Sequence, residues 1–155
     1  MSSTPTTEEF DKYHKWFAVE CNNRGWDLAC RDRTPDEDLE FLNAAHGAML
    51  HWSAVGTELH KMRALSLLAH AHASCGLGAT ALPWAQQCTV YFTGRETEQW
   101  ELAFTHMIHA QAAHAAGDSA LHAQQYTLAE AIVNGMPEDE NKEIVMMSWP
   151  RIPTP

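Results

Sequence analysis

Apolar residues recur along this chain every three or four positions, and no stretch alternates polar and apolar over a strand's length, which predicts helices throughout. The first begins at Thr6, whose spacing to Glu9 makes a capping box, and runs through FDKYHKWFAVECN to Gly25, with WDLACR adding a short turn. The second opens on Thr34, Pro35 and Glu37, an N-cap, a first-turn proline and a capping-box acid in the expected order, and extends to Val55. Its apolar line is Leu39, Leu42, His46 and Met49, widened by Phe41, Ala45, Ala48 and Trp52. Gly56 ends it. Thr57 caps a third helix, Glu58 to Cys75, whose line is Met62, Leu65, Leu68, Ala69 and His72.

CGLGAT breaks the pattern, and Leu82 to Phe92 makes a shorter partner. After TGRETE a longer helix carries Trp100, Ala103, Phe104, Met107 and Ala110 and stops at Gly117. Asp118 or Ser119 caps the next, Ala120 to Val133, which Asn134 and Gly135 close. Pro137 opens a last acidic helix, and residues 148–155 form a tail too rich in proline to be helical. Residues 1–147 therefore read as one all-α domain, and the short breaks favour antiparallel neighbours, that is, stacked helical hairpins.

The hairpins resemble one another weakly. At an offset of 39 residues, Gly78 meets Gly117, Ala81 meets Ala120, Leu82 meets Leu121 and His70 meets His109; an offset of 41, which pairs Gly76 with Gly117, aligns the preceding helices about as well. Leu65, Leu68, Ala69, His72, Gly76, Ala81 and Cys88 stand where a tetratricopeptide repeat places large, large, small, aromatic, glycine, small and small residues. The segment resembles one degenerate repeat, and WELAFTHMIHAQAAHAAGDSALHAQQYTLAEA resembles a second with a shortened turn, so that the likeness covers residues 57–133. The chain is similar to short bacterial tetratricopeptide-like proteins with repeats of roughly forty residues. That resemblance implies a right-handed array or a compact bundle, and an architecture that hosts many unrelated functions. His72 and Ala113 depart from it where an aromatic residue is usual.

Charge is placed unevenly. Residues 1–40 hold ten acids and five bases and residues 96–155 nine acids and two bases, whereas residues 41–95 carry only Glu58, Lys61, Arg63 and Arg95. So uncharged a centre needs cover from the terminal helices or from a second subunit, and a homodimer is the expected assembly. A net charge of −10 repels phosphate and anionic lipid, which disfavours nucleic acid and membrane as partners. No basic leader precedes an apolar run, no window reaches the roughly 18 apolar residues that span a bilayer, and Cys21, Cys30, Cys75 and Cys88 stand singly. These features predict a soluble cytoplasmic protein.

Ten histidines are the candidate chemistry. A helical zinc site, or one for another divalent transition metal, needs ligands three or four residues apart, and only His106 and His109 meet that within one helix. His46 and His51 diverge by about 140°, and His70 and His72 by about 200°. No His-Glu-x-x-His accompanies them, GDS at Gly117–Ser119 is explained by helix capping, and GLGAT lacks the glycine spacing of a nucleotide loop. Packed histidines and no cofactor are therefore the favoured reading. His46 replaces an expected leucine and needs a polar companion; Arg63 is the obvious one, and would itself demand Glu101 or Glu58. His46, Arg63, His70, Glu101 and His109 make the candidate ligand pocket, its guest an anion held by Arg63. Trp84 and Trp149 lie off the main apolar lines and are the candidate interaction surface. The function expected first is a non-enzymatic domain that binds a protein or peptide or assembles with itself; the alternative is a pocket protein, a ligand sensor or metal-dependent enzyme.

Overall fold

Three helices start on the reciprocal threonine cap. Thr6 and Glu9, Thr34 and Glu37, and Thr57 and His60 each exchange side-chain and backbone bonds, with His60 Nδ1 taking the place a glutamate usually fills. The computed structural model describes residues 4–155. They form α1 (Thr7–Ala29), α2 (Pro35–Val55), α3 (Glu58–Ser74), α4 (Gly78–Thr93), α5 (Gln99–Ala115), α6 (Ser119–Gly135) and α7 (Glu140–Ser148), then a 3-10 turn at Trp149–Arg151. The described residues contain no strand. The protein is all-α; each helix from α1 to α5 packs against the next in sequence, and α7 returns to α5.

Helices α3 and α5 lie side by side at the centre. Every residue from Ala64 to Ala73 and from Ala103 to Ala113 is buried, so both helices are enclosed on all faces. Two apolar clusters meet there: one joins α1, α2, α3 and α4 around Phe41 and Leu67, the other joins α3, α4, α5, α6 and α7 around Met107 and Ile108.

The elements around these two helices recur at a spacing of 41 residues. Helices α3 and α5 start at 58 and 99, α4 and α6 start at 78 and 119, and the left-handed glycines are 76 and 117, with φ of 74° and 79°. At each glycine the chain closes the same turn: Leu77 N–H donates to His72 O at 2.8 Å, and Asp118 N–H donates to Ala113 O at 2.9 Å. Of the two offsets the sequence leaves open, 41 is the one the helices follow, an arrangement compatible with a helical repeat.

Four boundaries differ from expectation. Helix α1 continues through Gly25 to Ala29, because Gly25 lies against Leu67, where a Cβ would come within 2.8 Å of Cδ2, and Leu28 and Ala29 beyond it are buried. Helix α4 starts before Pro83, at Gly78, since Ala81 N–H bonds Leu77 O at 3.0 Å and Ala81 is fully buried. Helix α7 is opened by Asp139, which accepts from Asn141 and Lys142 N–H, not by Pro137. The proline-rich end is no loose tail: it makes a 3-10 turn, Ile152 enters the core, and Pro153 O accepts from His122 Nε2 at 2.7 Å.

Candidate functional site

The histidines of α3 and α5 are held one at a time. Gln111 Nε2 donates to Ser74 Oγ at 3.1 Å, which turns its Oε1 toward His70 Nδ1 at 2.6 Å and fixes the imidazole proton on Nδ1. On the other side of α5, His109 Nδ1 donates to Thr89 Oγ1 at 2.9 Å while the Thr89 hydroxyl donates to Ala85 O. His106 Nδ1 reaches Gln125 Oε1 at 2.7 Å. The Thr80 hydroxyl donates to Leu77 O and accepts from His72 Nδ1 at 2.6 Å, so His72 Nε2 is left to accept from His46 Nε2 at 2.9 Å.

All of these bonds suit neutral rings. Burial pushes His70 and His109 down to about 4; the Gln111 bond opposes the fall at His70, and nearby His106 adds to it at His109. The remaining ring nitrogen, Nε2, of each meets no hydrogen-bonding group among the described residues. His72 and His51 are lowered too, by burial first and then by His46 and His14 respectively. His106 and His109 face different helices, α6 and α4, so their shared spacing does not converge on one point. Among the described residues no three His, Cys, Asp or Glu side chains are grouped closely enough to hold a metal ion.

A cleft of about 450 Å³ opens where α1, α3 and α5 approach α7. Trp26, Phe92, Trp100 and Phe104 wall it, Ile144 and Met147 of α7 form part of its rim, and Arg63, Ser66, Glu101 and Thr105 supply polar atoms. Arg63 and Glu101 make a two-pronged pair, Nε to Oε1 at 2.6 Å and Nη2 to Oε2 at 2.9 Å. Its two ends differ in exposure: the Glu101 side chain is 10 % exposed and that of Arg63 44 %. The guanidinium carbon lies 5.6 Å from the centre of the Trp100 ring, and Trp26 meets Phe104 edge-on at 5.1 Å.

The first half of α1 presents a half-exposed aromatic face, of which Phe17 stacks on His51 of α2 at 5.5 Å. Phe10, Tyr13, Trp16 and Phe17 are 48 %, 50 %, 58 % and 44 % exposed, and Lys12 and Lys15 flank them. Ala18 is the only buried residue of this half. Trp84 and Trp149, the tryptophans singled out as a surface, are half-buried instead: Trp84 packs against both clusters, and Trp149 lies on Tyr126 at 4.8 Å.

The five expected pocket residues are thus dispersed. Arg63 and Glu101 share the cleft; His70 borders a separate polar hollow with Arg33 and Asp38, His109 faces Thr89, and His46 is exposed on α2. The expectation that His46 and Arg63 lie inside one cluster is corrected on both counts. Helix α2 turns Phe41, Ala45, Ala48 and Trp52 inward and leaves Leu39, at 59 %, and His46 facing out. The α1 face had a signal in the sequence, since Phe10, Tyr13 and Phe17 stand three and four residues apart on one helical line. Trp26, Phe92 and Met147 had none, since their meeting depends on how distant helices pack. Set against models of protein families, curated proteins and solved structures, the chain matches none of them.

Proposed function

We propose that this chain is a non-enzymatic, tetratricopeptide-like helical-hairpin domain that assembles with itself through α1 as a cytoplasmic homodimer. One observation carries the reading, the cluster of four half-exposed aromatic side chains, Phe10, Tyr13, Trp16 and Phe17, on one helix. A buried aromatic side chain covers about 150–250 Å². Four that are half-exposed, doubled by a second copy, offer roughly 1,000 Å² in total, the order at which a contact becomes specific. Lys12 and Lys15 stand beside Glu8, Glu9 and Asp11 on this stretch, so an antiparallel pairing of two copies has charges of both signs to match. The common spacing of 41 and the matched glycine turns support the repeat name. The four free thiols suit a reducing compartment.

Sedimentation at micromolar concentration tests the assembly. The expected species has about twice the 17.3 kDa chain mass, and Trp16→Ser with Phe17→Ser returns it to monomer with unchanged helical content. A wild-type monomer across that range removes the self-assembly reading and leaves α1 as a face for a different protein or peptide.

The alternative of a metal-dependent enzyme draws no support from His106 and His109, whose Nδ1 atoms face Gln125 and Thr89. An anionic guest on Arg63 meets a similar obstacle, because Glu101 already holds that guanidinium by two bonds.

A further inference from the structure

We infer that the cleft between α1, α3, α5 and α7 binds a small, uncharged aromatic molecule carrying one hydrogen-bonding group. Its volume of about 450 Å³ falls within the roughly 300–1,000 Å³ typical of small-molecule sites, which are mostly apolar with a few placed polar groups. Trp26, Phe92, Trp100 and Phe104 offer ring faces and edges to a flat guest.

The polar groups decide its charge. Glu101 neutralises Arg63, and an anion that displaced this carboxylate would leave it unpaired at 10 % exposure. The chain's net charge of −10 opposes an anion further, while Asp27 at the cleft is already held by Arg24 at 3.0 Å and is not free to draw a cation. A cation would meet the Arg63 guanidinium, with Glu101 already engaged. A neutral molecule avoids both costs. The two bonds to Glu101 use Nε and Nη2, which leaves Nη1 as a donor, and Thr105 Oγ1, donating to Glu101 O at 2.7 Å, keeps lone pairs to accept a bond. A phenol or an amide on an aromatic frame would meet both.

Two dyes of one aromatic frame separate these possibilities on the full-length chain: neutral N-phenyl-1-naphthylamine and its anionic relative 8-anilino-1-naphthalenesulfonate. The neutral dye is expected to bind one per chain with enhanced fluorescence, at least tenfold more tightly than the anionic one. Met147→Glu, a charge placed on an exposed rim residue, and Ser66→Met, which fills the cleft, should each weaken it at least tenfold. Trp16→Ser should leave it unchanged. Equal binding of the two dyes, no binding, or binding indifferent to Met147→Glu overturns the inference. So does loss on Trp16→Ser, which would place the dye on α1. Should Ser66→Met fail to fold, Met147→Glu decides alone, and neither outcome bears on the oligomeric state.

Discussion

His70 and Gln111 stand 41 positions apart, at the same place on α3 and α5, and bond each other at 2.6 Å across the centre of the molecule. With Ser74 holding the amide, Gln111 is the acceptor that makes His70 tolerable at 2 % exposure. Gln111→Met keeps the shape and removes the acceptor, leaving a buried N–H unmet. The expected loss is about 2 kcal/mol in urea unfolding followed by tryptophan fluorescence. His70→Leu in the same chain should recover part of it, since two apolar partners leave no orphan. Equal stability of Gln111→Met and wild type would mean that the bond contributes nothing.

Acid should weaken the fold before its carboxylates titrate. His70 and His109 fall from 6.5 to about 4 on folding, so between those values the unfolded chain binds protons that the folded chain does not. Their contribution is complete above pH 6.5, shrinks as pH falls toward 4, and reaches a total of about 3 kcal/mol per histidine. The capping and paired carboxylates Glu9, Glu37 and Glu40 are lowered from 4.5, so the loss they cause comes at lower pH. Urea midpoints at pH 7.5, 6.0 and 5.0 should therefore decline steadily, and His109→Gln should flatten the decline. Constant midpoints over that span would contradict neutral burial of these rings.

The helix starts were legible because a cap is local: Thr6, Thr34 and Thr57 each bond a residue three places on. That Arg63 needs an acid was legible, with Glu58 and Glu101 both open to it; the packing of α3 on α5 selects Glu101. Gly25 was not legible. A glycine that ends a helix and one that lets a neighbour approach look alike until Leu67, 42 positions on, is in place. His106 and His109 stand, at the spacing of 41, where Leu65 and Leu68 stand in α3, so they occupy core positions. An ambiguous register hid that, and the wrong face of α2 put His46 inside. The cleft itself needs Trp26, Trp100 and Met147 brought together from three helices.

Two glycines of the paired turns should respond very differently to a side chain. A Cβ on Gly78 would fall 2.2 Å from Ala116 N and 2.3 Å from Ala115 C, backbone atoms of the neighbouring turn, so Gly78→Ala forces α4 away from α5. The expected cost is about 3 kcal/mol or more, in the range of overpacked cores. Gly117 has open space around it and only its φ of 79° to defend, so Gly117→Ala should cost about 1 kcal/mol. Thermal melts of the two variants rank them. Equal shifts would show that the close approach of the two hairpins does not carry the packing.

Arg63 and Glu101 give the last test, because their exposures are unequal. Removing the arginine strands a carboxylate that is 10 % exposed; removing the acid frees a guanidinium that is 44 % exposed and can turn to water. Arg63→Met should therefore destabilise more than Glu101→Gln, by about 2 kcal/mol against about 1, figures kept below those of a fully buried pair because water reaches the arginine. Arg63→Lys should recover little, since an ammonium replaces two directed bonds with a single point charge. The double variant should lie closer to wild type than the sum of the two losses, and a four-way denaturation cycle measures that coupling. Strict additivity, or a larger loss from Glu101→Gln, would mean that the arginine is not what allows the carboxylate to remain inside.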